Sequence, residues 1–190
     1  MIYSLSDKVV DYLEVNNYLK EDKDIYMHGA RLVISSIIGT SFVFLIGIIT
    51  NHFIEAILYE IIMSSSRKIM GGYHCKSYAS CIGLYIFIFS LGISCLNHLF
   101  ISFHLLLVIK VIGIVITFVL CPVRHVHKEV SELKRLRFKV YSVMYVIIYT
   151  FILNILYFFN LPYFHMFLYI FISIQFLTIG GRIEYGKAKA

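Results

Sequence analysis

Three stretches of this chain contain no Asp, Glu, Lys or Arg: residues 32–54, 77–109 and 140–181, of 23, 33 and 42 residues. A helix needs about 20 mainly apolar residues to cross the hydrocarbon of a bilayer, so the first run supplies one span. The second stays apolar past Lys110 to Val123 and supplies two, with a turn expected between Asn97 and His104. The third supplies two more, divided at Asn160-Leu161-Pro162. With 59% hydrophobic residues, 15% charged and a mean hydropathy of +0.82, the composition falls outside that of soluble domains. The expected fold is an all-α, polytopic membrane protein in which residues 1–190 form one domain.

The charged residues lie around these runs. Ten of the 28 fall in residues 1–31, where Ile2, Leu5, Val9, Tyr12 and Leu13 recur at helical spacing, which predicts an amphipathic interfacial helix over about residues 1–30. A cleaved signal peptide is not expected, because the first long apolar run begins only after Arg31. Residues 124–139 form a basic loop with six Lys or Arg, and further cations stand at Arg31, at 67–76 and in the tail. Cation-rich loops stay in the cytoplasm, and all four groups can do so only if the short apolar piece 53–63 also crosses. This gives six segments within residues 31–182, the second short, with both termini cytoplasmic. A net charge of +6 beside apolar spans points to anionic lipid or an acidic partner rather than nucleic acid. Ser35, Gly39 and Gly47 share a stripe that would suit close helix packing. Glu55 and Glu60 are read as partners of a Lys or Arg, in preference to acids near an active site, Lys110 as snorkelling to the headgroups, and Cys95 and Cys121 as small buried hydrophobes.

One polar, glycine-broken stretch, residues 64–81, interrupts the apolar pattern and gathers His74, Cys75, Cys81, Arg67, Lys68 and Lys76. A cysteine nucleophile works as thiolate and needs a base and a positive environment. His74 and Cys81, seven apart, would lie roughly 10 Å from each other on one continuous helix, too far for proton transfer. His74 must therefore sit on a bend, which Gly71-Gly72 would allow, with Cys81 near the amino end of the next helix, where free N–H groups favour a thiolate. Cys75 is the rival nucleophile, awkwardly adjacent to His74. A zinc site at His74, Cys75 and Cys81 lacks a fourth ligand, so no metal or other cofactor is assigned.

The run Arg67, Gly71-Gly72-Tyr73-His74 and Cys81, set just before a span in a basic chain with six apolar segments, resembles the accessory gene regulator B (AgrB) family. The resemblance implies a membrane cysteine endopeptidase that removes the C-terminal tail of a small, AgrD-like precursor peptide at the cytoplasmic face and helps close the remainder into a thiolactone or lactone quorum-sensing signal. It implies His74 and Cys81 as catalytic residues and Arg67 as an electrostatic support. Lys134-Arg135 would belong to a cationic loop that meets substrate. A homodimer is compatible with it. The alternative from the residues alone is a non-catalytic membrane binding or transport protein using Glu55, Glu60 and Lys110.

Overall fold

The computed structural model of the protein describes residues 2–19, 22–73, 75, 77–95, 101–123 and 131–189. They contain seven helices and no strand: α1 (Ile2–Val15), α2 (Lys23–Ile49), α3 (Phe53–Met70), α4 (Tyr78–Cys95), α5 (Phe103–Leu120), α6 (Glu132–Phe158) and α7 (Phe164–Lys189). Five of them, α2, α4, α5, α6 and the Phe164–Gly186 part of α7, are long and apolar enough to cross a membrane. The uncharged runs thus build a polytopic helical membrane protein, and the expected breaks appear. The α6–α7 turn holds Asn160 and Tyr163 at positive φ, and α4 ends at Cys95 before α5 begins at Phe103, residues 96–100 of the expected Asn97–His104 turn lying outside the described residues. Large apolar side chains such as Ile37, Phe87, Val111 and Phe151 point outward, as suits helices whose surroundings are lipid tails.

The remaining long helix corrects one expectation. In place of a short piece over 53–63, α3 continues through the polar serines and Arg67 to Met70, 18 residues in all, or about 27 Å at 1.5 Å per residue. Glu55, Glu60, Arg67 and Lys68 make it too polar to stand alone in lipid, and the packing resolves this. Ala56, Tyr59, Ile62, Met63, Ser66 and Met70 form a buried face, against which α2, α6 and α7 pack. Small residues let α2 approach closely: Gly39 and Gly47, two of the three stripe residues, are buried, with Gly47 against Ala56.

The acids of α3 do not pair with Lys or Arg among the described residues, contrary to the sequence reading. Glu55 meets His52 Nδ1 at 3.2 Å. Glu60 accepts from Thr40 Oγ1 at 2.9 Å and from the Tyr85 hydroxyl at 2.6 Å, so hydroxyls of α2 and α4 satisfy it. Lys110 likewise does not snorkel. It is 5% exposed within the bundle, where it donates to Asn154 Oδ1 of α6 and stands 6.0 Å from the centre of the Phe103 ring. A buried ammonium needs such partners, because leaving it unpaired in hydrocarbon costs several kcal/mol.

The helices alternate in direction, and the described cations other than Lys110 gather at one end. There Val123 N–H donates to the Met70 carbonyl at 3.0 Å, Ser142 Oγ to the Ile69 carbonyl at 3.3 Å, and Lys139 lies 4.8 Å from the Phe118 ring centre. The basic segment 124–139 is only partly a loop. Residues 124–130 lie outside the described residues, whereas Glu132 onward is helix, which puts Lys134, Arg135 and Arg137 on the exposed opening turns of α6. α1 folds back on α2, burying Ser6 and Val10. Lys23 pairs with Asp11 at 2.9 Å and Glu14 at 2.6 Å, and Arg31 with Asp7 at 3.7 Å. Beyond α2 it reaches α4, where Tyr3 meets Tyr78 edge-on at 6.1 Å.

Candidate active site

Two helix ends meet at the cationic end of the bundle. α3 brings Arg67 on its last turn, and α4 brings Cys81 on its first. Ser77 caps α4: its Oγ accepts from the Ser80 N–H at 3.1 Å and lies 2.8 Å from Ser80 Oγ. A serine at this position satisfies a donor that the helix cannot. The Cys81 amide is already spent on the Ser77 carbonyl at 3.1 Å. Any backbone stabilisation of charge at this end must therefore come from the helix start as a whole, not from the cysteine's own N–H.

Arg67 Nη1 lies 3.8 Å from Cys81 Sγ. Sequence spacing could not place these two residues together, since 14 positions and a glycine turn separate them. The guanidinium lies 5.7 Å from the centre of the Tyr85 ring, one helical turn below Cys81, and its Nη2 is buried with no partner among the described residues. Placed thus, Arg67 supplies a positive charge beside the sulfur and an uncommitted donor close to it. Both suit the negative oxygen that forms when a sulfur nucleophile attacks a carbonyl.

The turn between the helices is built as the glycine pair suggested. Gly71 has φ +74° and Gly72 φ +150°, values that side chains disfavour. The Tyr73 N–H then donates to the Leu177 carbonyl of α7 at 2.9 Å, which anchors the turn to that helix. His74, the expected base, lies outside the described residues, as does Lys76. Cys75 is described and half-buried. Burial lifts the Cys75 thiol above the ordinary thiol range, the Cys81 neighbour adds to this, and Arg67 opposes it. The rival thiol is thus a poorer source of thiolate than an ordinary cysteine. Cys121 is buried and pushed up to about 11 by that burial. All four described cysteines are free, and no group of three potential metal ligands occurs among the described residues.

Lys134 and Arg135 stand apart from this centre, with no carboxylate partner among the described residues. Two surrounding residues, Tyr85 and Gly181, escaped the sequence reading, and Glu60 entered it without its link to Tyr85. The signals were present, since Tyr85 is four residues from Cys81 and Glu60 seven from Arg67, both helical-face spacings. An apolar groove of about 480 Å³ opens beside the site between α4 and α7, with Tyr73, Leu84, Ile88, Tyr169, Ser173 and Leu177 in its wall.

The profile of accessory gene regulator B, AgrB, matches residues 6–179. The chain belongs to the AgrB family. An AgrB-like protein of Clostridium perfringens (strain SM101, type A) is 33% identical over 167 residues, covering 83% of this chain and 77% of that protein. A second AgrB-like protein, from C. perfringens strain 13, is 30% identical over 171 residues, covering 84% and 80%. One from Clostridium beijerinckii is 27% identical over 127 residues, 64% of each. No solved structure matches the chain. AgrB membership ties this membrane protein to accessory gene regulator function, that is, to the processing of a quorum-sensing peptide.

Proposed function

We propose that the chain is a membrane cysteine endopeptidase that cuts the C-terminal tail from a small AgrD-like precursor and passes the rest on as an activated acyl group. The observation that carries this reading is the contact of Arg67 with Cys81 at the capped start of α4. In the first step the Cys81 thiolate attacks the scissile carbonyl carbon, and the resulting oxyanion faces the Arg67 guanidinium. The C–N bond then breaks, His74 gives its proton to the departing amine, and the precursor's N-terminal part remains on Cys81 as a thioester.

A cysteine within the precursor can attack that thioester next, giving its thiol proton to the now neutral His74; the bond to Cys81 breaks, a thiolactone closes and Cys81 returns as thiolate, while a serine would close a lactone. One thioester is exchanged for another, so ring closure needs no ATP. Proximity lets it compete with hydrolysis, since well-oriented groups reach effective molarities of about 10⁵ M or more. Lys134 and Arg135 are assigned the acidic tail of the precursor, held at the same cytoplasmic face.

The test is a precursor whose internal cysteine is changed to alanine. It should still be cut and should accumulate a hydroxylamine-sensitive adduct on Cys81, visible by intact mass. Tail release without any adduct, even on rapid quenching, would favour direct hydrolysis.

A further inference from the structure

We propose that Glu60 is a positioning residue for the thiol centre, acting through the ring of Tyr85 on Arg67. The inference takes from the peptidase reading only the reaction that the centre serves. Both carboxylate oxygens of Glu60 are engaged, Oε1 by Thr40 of α2 at 2.9 Å and Oε2 by the Tyr85 hydroxyl at 2.6 Å. Tyr85 is held from a second side, because the Tyr59 hydroxyl donates to its backbone carbonyl at 2.9 Å and the two rings stand 4.9 Å apart. The ring so fixed carries the guanidinium of Arg67 at 5.7 Å, and Arg67 Nη1 reaches Cys81 Sγ at 3.8 Å.

Helix geometry explains why these four residues form one unit. Glu60 and Arg67 are two turns apart on one face of α3, and Cys81 and Tyr85 one turn apart on α4. The phenol bridges the two turns of α3. A direct Glu60–Arg67 ion pair would use up the guanidinium's donors and draw it away from the thiol. With a tyrosine between them, the carboxylate still compensates the cation electrostatically, Nη1 stays on the sulfur and Nη2 stays uncommitted among the described residues. A carboxylate half-buried in an apolar bundle is costly unless hydroxyls satisfy it, so this position is expensive to fill with an acid for packing alone.

The test uses the full chain in detergent with Cys75, Cys95 and Cys121 changed to alanine, and two readouts. One is the rate of Cys81 alkylation by iodoacetamide, which needs no substrate. The other is cleavage of a synthetic AgrD-like precursor peptide. Tyr85→Phe keeps the ring and loses the tether; Glu60→Gln keeps the shape and loses the charge. Each should slow alkylation and lower kcat about 10-fold with KM little changed, the signature of a lost transition-state arrangement. Because both act through one cation, the double variant should lose no more than the worse single, and neither should add to Arg67→Ala. Wild-type alkylation rates in both variants, or losses that multiply in the Arg67→Ala background, would overturn the inference. If Glu60→Gln fails to insert, Tyr85→Phe decides alone. Slowed alkylation in a protein whose parent never cuts the peptide would leave Glu60's role standing and sink the peptidase reading. Normal cutting by both variants would do the reverse.

Discussion

Gly181 of α7 lies against the backbone of Gly72: a Cβ on Gly181 would come within 2.6 Å of the Gly72 carbonyl carbon and 2.8 Å of the Tyr73 nitrogen. Backbone cannot swing aside as a flexible side chain can, so Gly181→Ala must push the turn away from α7. Overpacking of this kind costs about 1–3 kcal/mol. Gly181→Ala is expected to insert normally but to cut precursor at least about 10-fold more slowly, since small misplacements at a site are costly in rate. Gly186→Ala, at a position with open space around its α-carbon, is the matched control. Equal rates for the two variants would show that the turn's seat does not matter.

The thiols should separate cleanly in cleavage assays on membranes. Cys81→Ala and His74→Ala are each expected to abolish tail release while the protein still inserts, and Cys75→Ala to retain it. Full cleavage by Cys81→Ala would remove the nucleophile assignment. Because burial raises the Cys75 and Cys121 thiols, both are mostly protonated at neutral pH. Their alkylation should therefore accelerate as pH rises, for Cys121 only on approach to about 11.

Orientation can be read by thiol labelling in a background without accessible native cysteines. Cysteines placed at Asn51 and Asn160 should react with a membrane-impermeant maleimide added outside, and one placed at Lys134 should not. The cation-poor turns lie at the opposite end of the bundle from Arg67, so α3 has to cross for this pattern to hold. External labelling at Lys134 would reverse the orientation.

The cations that open α6 are exposed, and individually such charges contribute little. Reversing Lys134, Arg135 and Arg137 together to Glu is expected to raise KM for an acidic-tailed precursor several-fold, an effect that shrinks in high salt. Unchanged cleavage, with topology verified by labelling, would leave these residues as topology anchors only.

Lys110 offers a test of the binding or transport alternative. Lys110→Met should cost about 1–3 kcal/mol of stability, because it leaves the Asn154 amide without its partner. Changing Asn154→Leu as well should recover part of that loss. If Lys110 serves only the bundle, precursor cleavage by the double variant stays close to wild type; loss of cleavage there would give the lysine a role in function.

How much of this was legible in the sequence depends on which physical signal carried it. Uncharged runs revealed α2, α4, α5, α6 and α7, because exclusion of charge is a strong constraint on lipid-facing helices. α3 was underread for the same reason. Its polar residues face partners supplied by other helices, Thr40 and Tyr85 for Glu60 and Cys81 for Arg67, and hydropathy carries no information about partners. Lys110 was misread in the same way, since Asn154 is 44 residues further along the chain. Gly71-Gly72 was legible as a bend because φ > 0 is a local demand. Its seat on Leu177 and Gly181 was not, because a long-range approach of backbones has no periodicity to betray it.

The seat of that turn also orders the protein's synthesis. Gly181 leaves the ribosome 100 residues after Cys81, so a nascent chain inserts its thiol and its arginine well before the helix that fixes the turn between them exists. Until α7 has entered the membrane and docked, Tyr73 has no Leu177 carbonyl to meet. A partly made chain therefore carries a cysteine without a finished site around it, and competence to process peptide arrives late, when the last helix closes the bundle.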